Sequence, residues 1–144
     1  MFDIRFVAPE EVVEGRSVRR GRITLDNFAE DFESPIGYWS ASRYESQWKA
    51  AAERLRDGKQ TSGFMVWAVD LPHEQFGLWW PAWVEGDRIA VQNQLLFAKD
   101  FPRGFDLDLA YNSASYAEPW FDDPGERPSR WYVTPADMAT YLAG

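Results

Sequence analysis

The chain contains no cysteine and a single histidine, His73, among its 144 residues. Without thiols there is no disulfide, no thiolate nucleophile and no cysteine-based zinc site, and the composition fits a reducing compartment. A lone imidazole leaves little for proton transfer at neutral pH. His73 lies in Leu71-Pro72-His73-Glu74, which reads as a turn between strands. Neighbours in a turn often point apart, so Glu74 is not expected to orient the ring. The sequence has no G-x-S-x-G, Walker lysine loop, G-x-G-x-x-G, H-E-x-x-H or EF-hand loop, and the motif-based case for an enzyme is nearly empty. No apolar run approaches the ~20 residues that a membrane-spanning helix needs. The start, Met1-Phe2-Asp3-Ile4-Arg5-Phe6, has neither a basic leader nor an apolar signal segment, so the expectation is a cytoplasmic protein.

What is present favours binding. Eight tryptophans accompany 23 acids and 15 bases, and aromatic rings are over-used at interfaces because they offer large apolar area with a polar edge. The net charge of −8 is unevenly placed: residues 61–144 carry twelve acids against five bases, so −7 of it belongs to that segment. An acidic field repels phosphate backbones and anionic lipid and attracts cationic proteins. The expected partner is therefore a protein. No nucleic acid, membrane, cofactor or metal is expected, and a monomer is favoured.

The length suits one domain, residues 1–144. Residues 2–7 and 22–28 alternate apolar and polar side chains, as paired strands do. A helix opens near Ser40 or Ser42, where Ser42 and Glu45 have capping-box spacing. Tyr44, Trp48, Ala51, Ala52 and Leu55 form its apolar stripe, and Asp57-Gly58 should end it. From Thr61 to about Tyr116 the pattern is that of sheet: a central strand at 62–69, then runs 76–84 and 88–97 around Glu85-Gly86-Asp87, with residues 112–117 as a further strand. Pro81 inside the first of these runs demands an edge or a bulge. Residues 118–128 hold three prolines and read as a long loop. A short strand at 130–133 precedes a terminal helix with Thr134 as its cap, Pro135 in the first turn and Asp137 as acidic third residue. The fold class is α+β: a mainly antiparallel sheet, one long helix packed on it and a short C-terminal helix.

Among chemistry-bearing groups, Asp106/Asp108 and Asp122/Asp123 could supply paired carboxylates for an acid–base reaction, although such pairs are common in acidic chains. The run Phe76-Gly77-Leu78-Trp79-Trp80-Pro81-Ala82-Trp83 says more. Trp79 and Trp80 point to opposite faces of a strand, so either the sheet is covered on both faces or one ring forms a surface for a ligand or partner. A tryptophan-lined pocket for a small ligand is the alternative reading. Gln92-Asn93-Gln94 places at least one amide in a half-buried position, where it needs partners. Trp120 and Phe121 beside Asp122, Asp123 and Glu126 on a loop need not serve the core.

The residues Glu14-Gly15-Arg16, Gly21-Arg22-Ile23-Thr24-Leu25, Phe28, Glu30, Phe32-Glu33, Pro35, Trp39-Ser40, Tyr44, Gln47-Trp48, Val91-Gln92-Asn93-Gln94-Leu95-Leu96, Trp131 and Asp137 together resemble the immunity proteins of contact-dependent growth-inhibition systems. The likeness spans most of the chain through scattered positions and carries no catalytic signature. Residues 118–128 depart from it. The resemblance implies a small cytoplasmic protein that binds and blocks the toxic C-terminal domain of a delivered effector, often a nuclease, and performs no reaction. Nuclease domains tend to be basic, so an acidic inhibitor would be steered onto one. Trp120, Phe121, Asp122, Asp123 and Glu126 are the expected partner contacts, the carboxylates standing in for phosphates and the rings anchoring the complex.

Overall fold

The computed structural model describes residues 1–69, 76–97, 107–115 and 130–144. Nine strands and two α-helices lie in these stretches, in the order β1 (Phe2–Phe6), β2 (Glu11–Val13), β3 (Arg16–Leu25), β4 (Phe28–Pro35), α1 (Ala41–Arg56), β5 (Thr61–Trp67), β6 (Phe76–Glu85), β7 (Arg88–Val91), β8 (Gln94–Phe97), β9 (Trp131–Val133) and α2 (Pro135–Ala143). The α+β expectation holds, with the strands divided between two antiparallel sheets.

In the first sheet β3 is central, with β1 and β2 in series along one side and β4 along the other. Its registers place Phe2, Leu25 and Phe28 in one row and Phe6, Gly21 and Phe32 in another. Alternation therefore sends the aromatic and branched residues inward, leaving Arg5, Arg22 and Asp31 outside. Gly21 has no room for a side chain, because the Phe32 ring crosses it. The β2–β3 turn runs through Glu14 and Gly15, both with positive φ (52° and 77°), the geometry that a two-residue hairpin matching the strand twist requires.

The second sheet is ordered β5-β6-β7-β9, with β8 also paired to β6. Residues 88–97 are not one strand as expected but two. Pro81 explains the break. Trp79 pairs with Gln94 and Ala82 with Val91 in a single continuous register, so Pro81 stands opposite Gln92. Having no N–H, it cannot complete the ladder there. The carbonyl side survives, with Gln92 N–H donating to Pro81 O at 3.1 Å. The proline thus sits in a central strand, at the gap between two partners.

The sheets meet through aromatic contacts. Phe2 packs on Phe64 with ring centroids 5.0 Å apart, Phe28 stacks on Trp131 at 4.2 Å, and Trp131 touches Trp80 at 5.6 Å. Helix α1 buries the expected stripe and closes the side of this core, where Trp48 reaches Phe6 at 4.9 Å and Phe32 at 5.8 Å. Its cap is Ser40, whose hydroxyl accepts the Arg43 N–H at 3.2 Å, and not the Ser42–Glu45 box. The expected box at Thr134 and Asp137 is present on α2. A 3₁₀ helix, Leu107–Ser113, replaces sheet at 107–113 and takes in Asn112 and Ser113, which the sequence pattern placed in a strand. Apolar residues spaced for one face of a tight helix and for a strand are hard to tell apart over so few positions.

One edge of β5 has no strand partner among the described residues, and side chains of α1 occupy it instead. Gln47 Nε2 donates to Gly63 O at 2.8 Å while its Oε1 accepts the Met65 N–H at 2.9 Å, so one amide imitates the donor and acceptor of a neighbouring strand. Trp48 Nε1 donates to Met65 O at 2.7 Å, Arg54 to Thr61 O at 3.0–3.1 Å, and the Tyr44 hydroxyl accepts the Ala68 N–H at 3.0 Å while donating to Pro35 O. Replacing Gln47 with Leu strands a buried carbonyl and a buried amide together. The expected loss is about 2–6 kcal/mol, at ~1–3 kcal/mol for each orphaned group, read as a lower urea midpoint, whereas Lys49→Leu on the exposed face of the helix should stay within about 0.5 kcal/mol.

Candidate functional site

Trp79 and Trp80 are both buried, at 2% and 1% exposure, so this sheet is covered on both faces and neither ring is a surface patch. Trp80 faces the first sheet. Trp79 lies on the other face, over Gly63, where a Cβ would come within 2.5 Å of its ring. Beside it, between α1, β5 and the 3₁₀ helix, opens a cavity of about 480 Å³. Trp79 lines this cavity; Trp80 and Trp83 do not. The tryptophan-lined pocket of the alternative reading is therefore a cavity with one tryptophan.

Trp83 is half-buried at the far end of the same face and takes part in a polar cluster. Its Nε1 donates to Glu85 Oε2 at 2.8 Å, Arg130 Nη1 reaches the same oxygen at 3.1 Å, and the Tyr132 hydroxyl donates to Oε1 at 3.3 Å. Arg88 stacks over Tyr132, 3.6 Å from the ring centroid. The strand registers set this up, since Trp83, Ala90 and Tyr132 form one row across β6, β7 and β9. The Trp83 hydrogen bond, with the Arg130 charge and the Tyr132 hydroxyl, holds the Glu85 carboxyl below the usual carboxylate range.

The Gln92-Asn93-Gln94 triplet is structural. Gln92 is buried, Gln94 Nε2 donates to Gln92 Oε1 at 2.7 Å and to Ser115 O at 2.6 Å, and Asn93 Nδ2 donates to Glu30 Oε2 at 3.3 Å. That last bond joins the two sheets, because Glu30 shares the inward row of Ile4 and Ile23. Partial burial pushes its carboxyl pKa up. Gln94 on Ser115 and Glu85 on Arg130 also fasten the residues that flank 116–129 to the second sheet.

The outer face of the first sheet is charged but self-neutralising. Arg22 meets Asp31 at 2.7 Å, Arg5 meets Asp3 at 3.1 Å and Arg20 meets Glu11 at 3.3 Å. Exposed pairs of this kind contribute little to stability, and they leave no strong field of one sign. The exposed apolar residues include the cross-strand pair Phe76 and Phe97 at the open end of β6 and β8.

The expected partner contacts Trp120, Phe121, Asp122, Asp123 and Glu126 lie outside the described residues, as do His73, Glu74 and Asp106. Asp108 falls in the 3₁₀ helix, with its side chain outside the description. Among the described residues there is no cluster of acids or histidine suited to a metal ion. The sequence pattern gave no notice of the Glu85 cluster, because Arg130 and Glu85 are distant in the chain and meet only through the β7–β9 pairing.

Residues 34–141 match the family described as the CdiI N-terminal domain. The immunity protein CdiI of Enterobacter cloacae subsp. cloacae is 23% identical over 133 residues, which is 92% of this chain and 90% of that protein. A solved structure of the CdiA-CT/CdiI toxin and immunity complex from Enterobacter cloacae superposes with a TM-score of 0.79 at 21% identity, over 99% of this chain and 97% of that one. At that identity the likeness establishes a shared fold.

The lowered Glu85 carboxyl contributes stability that is complete above the unfolded value, ~4.3, and is lost as pH falls through the folded value. Thermal unfolding between neutral and acid pH should therefore show a smaller acid-side fall for Glu85→Gln than for the unaltered chain, the two curves converging once the carboxyl is protonated.

Proposed function

The chain belongs to the CdiI N-terminal domain family, and from that premise we propose that it binds the toxic C-terminal domain of a cognate effector and neutralises it. The family match is the observation that carries this reading. The name of the Enterobacter relative and the toxin–immunity pairing in the solved structure support it. The protein acts by occupancy, in the cytoplasm, with no chemistry or cofactor of its own.

In finer detail, the toxin is a basic nuclease and the inhibitor covers its active site. Charge supports this. Residues 61–144 carry −7 of the net −8, and residues 116–129 hold four acids against one base. Within the last stretch, Asp122, Asp123 and Glu126 replace phosphates against the basic site, and Trp120 and Phe121 anchor the contact. Charges of this kind act mainly on the rate of encounter, while buried aromatic anchors act on the lifetime of the complex.

The test is stopped-flow association with the cognate toxin domain across a salt series. Replacing Asp122, Asp123 and Glu126 with Asn, Asn and Gln should lower the association rate at low salt by ~10-fold or more and flatten its salt dependence, while Trp120→Ala should mainly speed dissociation. Unchanged rates in the triple variant would place the contact elsewhere. Failure of the unaltered chain to reduce toxin activity would remove the neutralisation reading altogether.

A further inference from the structure

The outer edge of β4 stands open along its middle. Val7 N–H donates to Arg20 O and Asp26 N–H to Met1 O, so the even-numbered residues of β3 turn their backbone groups to β1 and the odd-numbered ones to β4. With Leu25 opposite Phe28, the β4 residues that complete this ladder are Phe28, Glu30, Phe32 and Ser34. Ala29, Asp31 and Glu33 direct their N–H and C=O the other way. All three are exposed, and among the described residues no second strand pairs with β4. Neighbouring edges are occupied. The Tyr141 hydroxyl donates to Ile4 O on the outer edge of β1 at 3.2 Å, and the Tyr44 hydroxyl donates to Pro35 O at the end of β4. The open part therefore runs from Ala29 to Glu33.

Such an edge is a template for an added strand, and its side chains decide which strand fits. Asp31 and Glu33 stand on the outer face of the sheet. The bases that balance them, Arg22 at 2.7 Å from Asp31 and Arg20 opposite Glu33, lie one strand further in. The rim is therefore acidic although the face behind it is self-neutralising. On the inner side Phe28 and Phe32 are only half-buried against the core, which leaves apolar surface for a neighbouring strand to cover. A second copy of this chain paired antiparallel through β4 would set acids against acids, and like charges directly opposite are destabilising.

We propose that the edge from Ala29 to Glu33 accepts an extended basic segment of the toxin domain as an added strand. Main-chain hydrogen bonds to Ala29, Asp31 and Glu33 hold the segment, and alternation sorts its side chains. Lysine or arginine lies over Asp31 and Glu33 on the outer face, and apolar residues lie over Phe28 and Phe32 on the inner one. That the segment belongs to the toxin domain rests on the neutralisation reading. The preference of the edge for a basic strand rests on β4 itself.

The probe is the peptide Thr-Lys-Val-Lys-Val-Lys-Thr, blocked at both ends, with Thr-Glu-Val-Glu-Val-Glu-Thr as its acidic counterpart, titrated into the ¹⁵N-labelled chain. The Ala29, Asp31 and Glu33 amide resonances should shift saturably with a dissociation constant below ~1 mM, and the acidic peptide should bind ~10-fold or more weakly. Ala29→Pro removes one edge N–H while keeping the ladder to β3 and every charge. It should weaken the basic peptide by ~10-fold or more and weaken toxin neutralisation with it. Absence of a saturable shift at these amides, equal affinity for the two peptides, or a folded Ala29→Pro chain that neutralises as well as the unaltered one would each overturn the proposal. Concentration-dependent dimerisation through the same amides would assign the edge to a second copy and overturn it too. Should Ala29→Pro fail to fold, the comparison of the two peptides on the unaltered chain still decides. A chain that takes the basic peptide at β4 yet leaves the toxin active would overturn the neutralisation reading, and with it the toxin as the source of the segment, which tells the two failures apart.

Discussion

The open edge of β5 decides where helix α1, and through it the first sheet, can sit. A strand edge inside a protein must find partners for every outward N–H and C=O, since water is excluded and each orphaned group is costly. Among the described residues no strand supplies them. Tyr44, Gln47, Trp48 and Arg54 do so from a single helix face, and this fixes α1 against the second sheet in both direction and register. Once the helix is fixed, Trp48 and Tyr44 present their rings to Phe6 and Phe32, so the first sheet is positioned by the same residues. A polar device thus sets the geometry in which the apolar core condenses. It also removes an edge that would otherwise invite another chain to pair with it.

Pro81 imposes a second, smaller constraint with wider effects. By opening the ladder it frees the Gln92-Asn93 segment from regular pairing. That segment then does other work: Gln92 and Gln94 bond to each other, Gln94 fastens Ser115, and Asn93 reaches Glu30 in the other sheet. One missing N–H in β6 therefore supports a tie between the sheets and an anchor for the chain beyond the 3₁₀ helix.

Much of this was legible in the sequence, for identifiable reasons. The α1 stripe, the terminal capping box and the hairpin at Glu85–Arg88 are local patterns, set by residues close together in the chain, whereas Pro81, expected at an edge or a bulge, sits in a central strand and breaks its partner run instead. The division into two sheets was not legible, because it depends on which strands pair, and the pairing of β7 with β9 joins residues some forty positions apart. The burial of Trp79 was open for the same reason: alternation shows that it faces away from Trp80 but not what lies on that side. The Glu85 cluster and the cavity both arise from such distant pairings. The stretch 118–128 was legible as composition alone, and composition marks charge and aromaticity without marking position.

The residues that carry the family resemblance include Tyr44, Gln47, Trp48, Gln92, Asn93 and Gln94, and in the structure each is occupied with hydrogen bonds that close the fold. Their side chains are committed to backbone carbonyls and amides, or to each other, and have little left to offer a partner. A likeness built on such residues reports how a chain solves its own edges and breaks; it does not specify what the chain grips. Recognition then has to reside where the framework makes no demand. The residues that flank 116–129 are fastened by Gln94 and Glu85, so the framework fixes where that stretch begins and ends. Gln47 and the gap at Pro81 hold the two sheets around the helix whatever the chain grips.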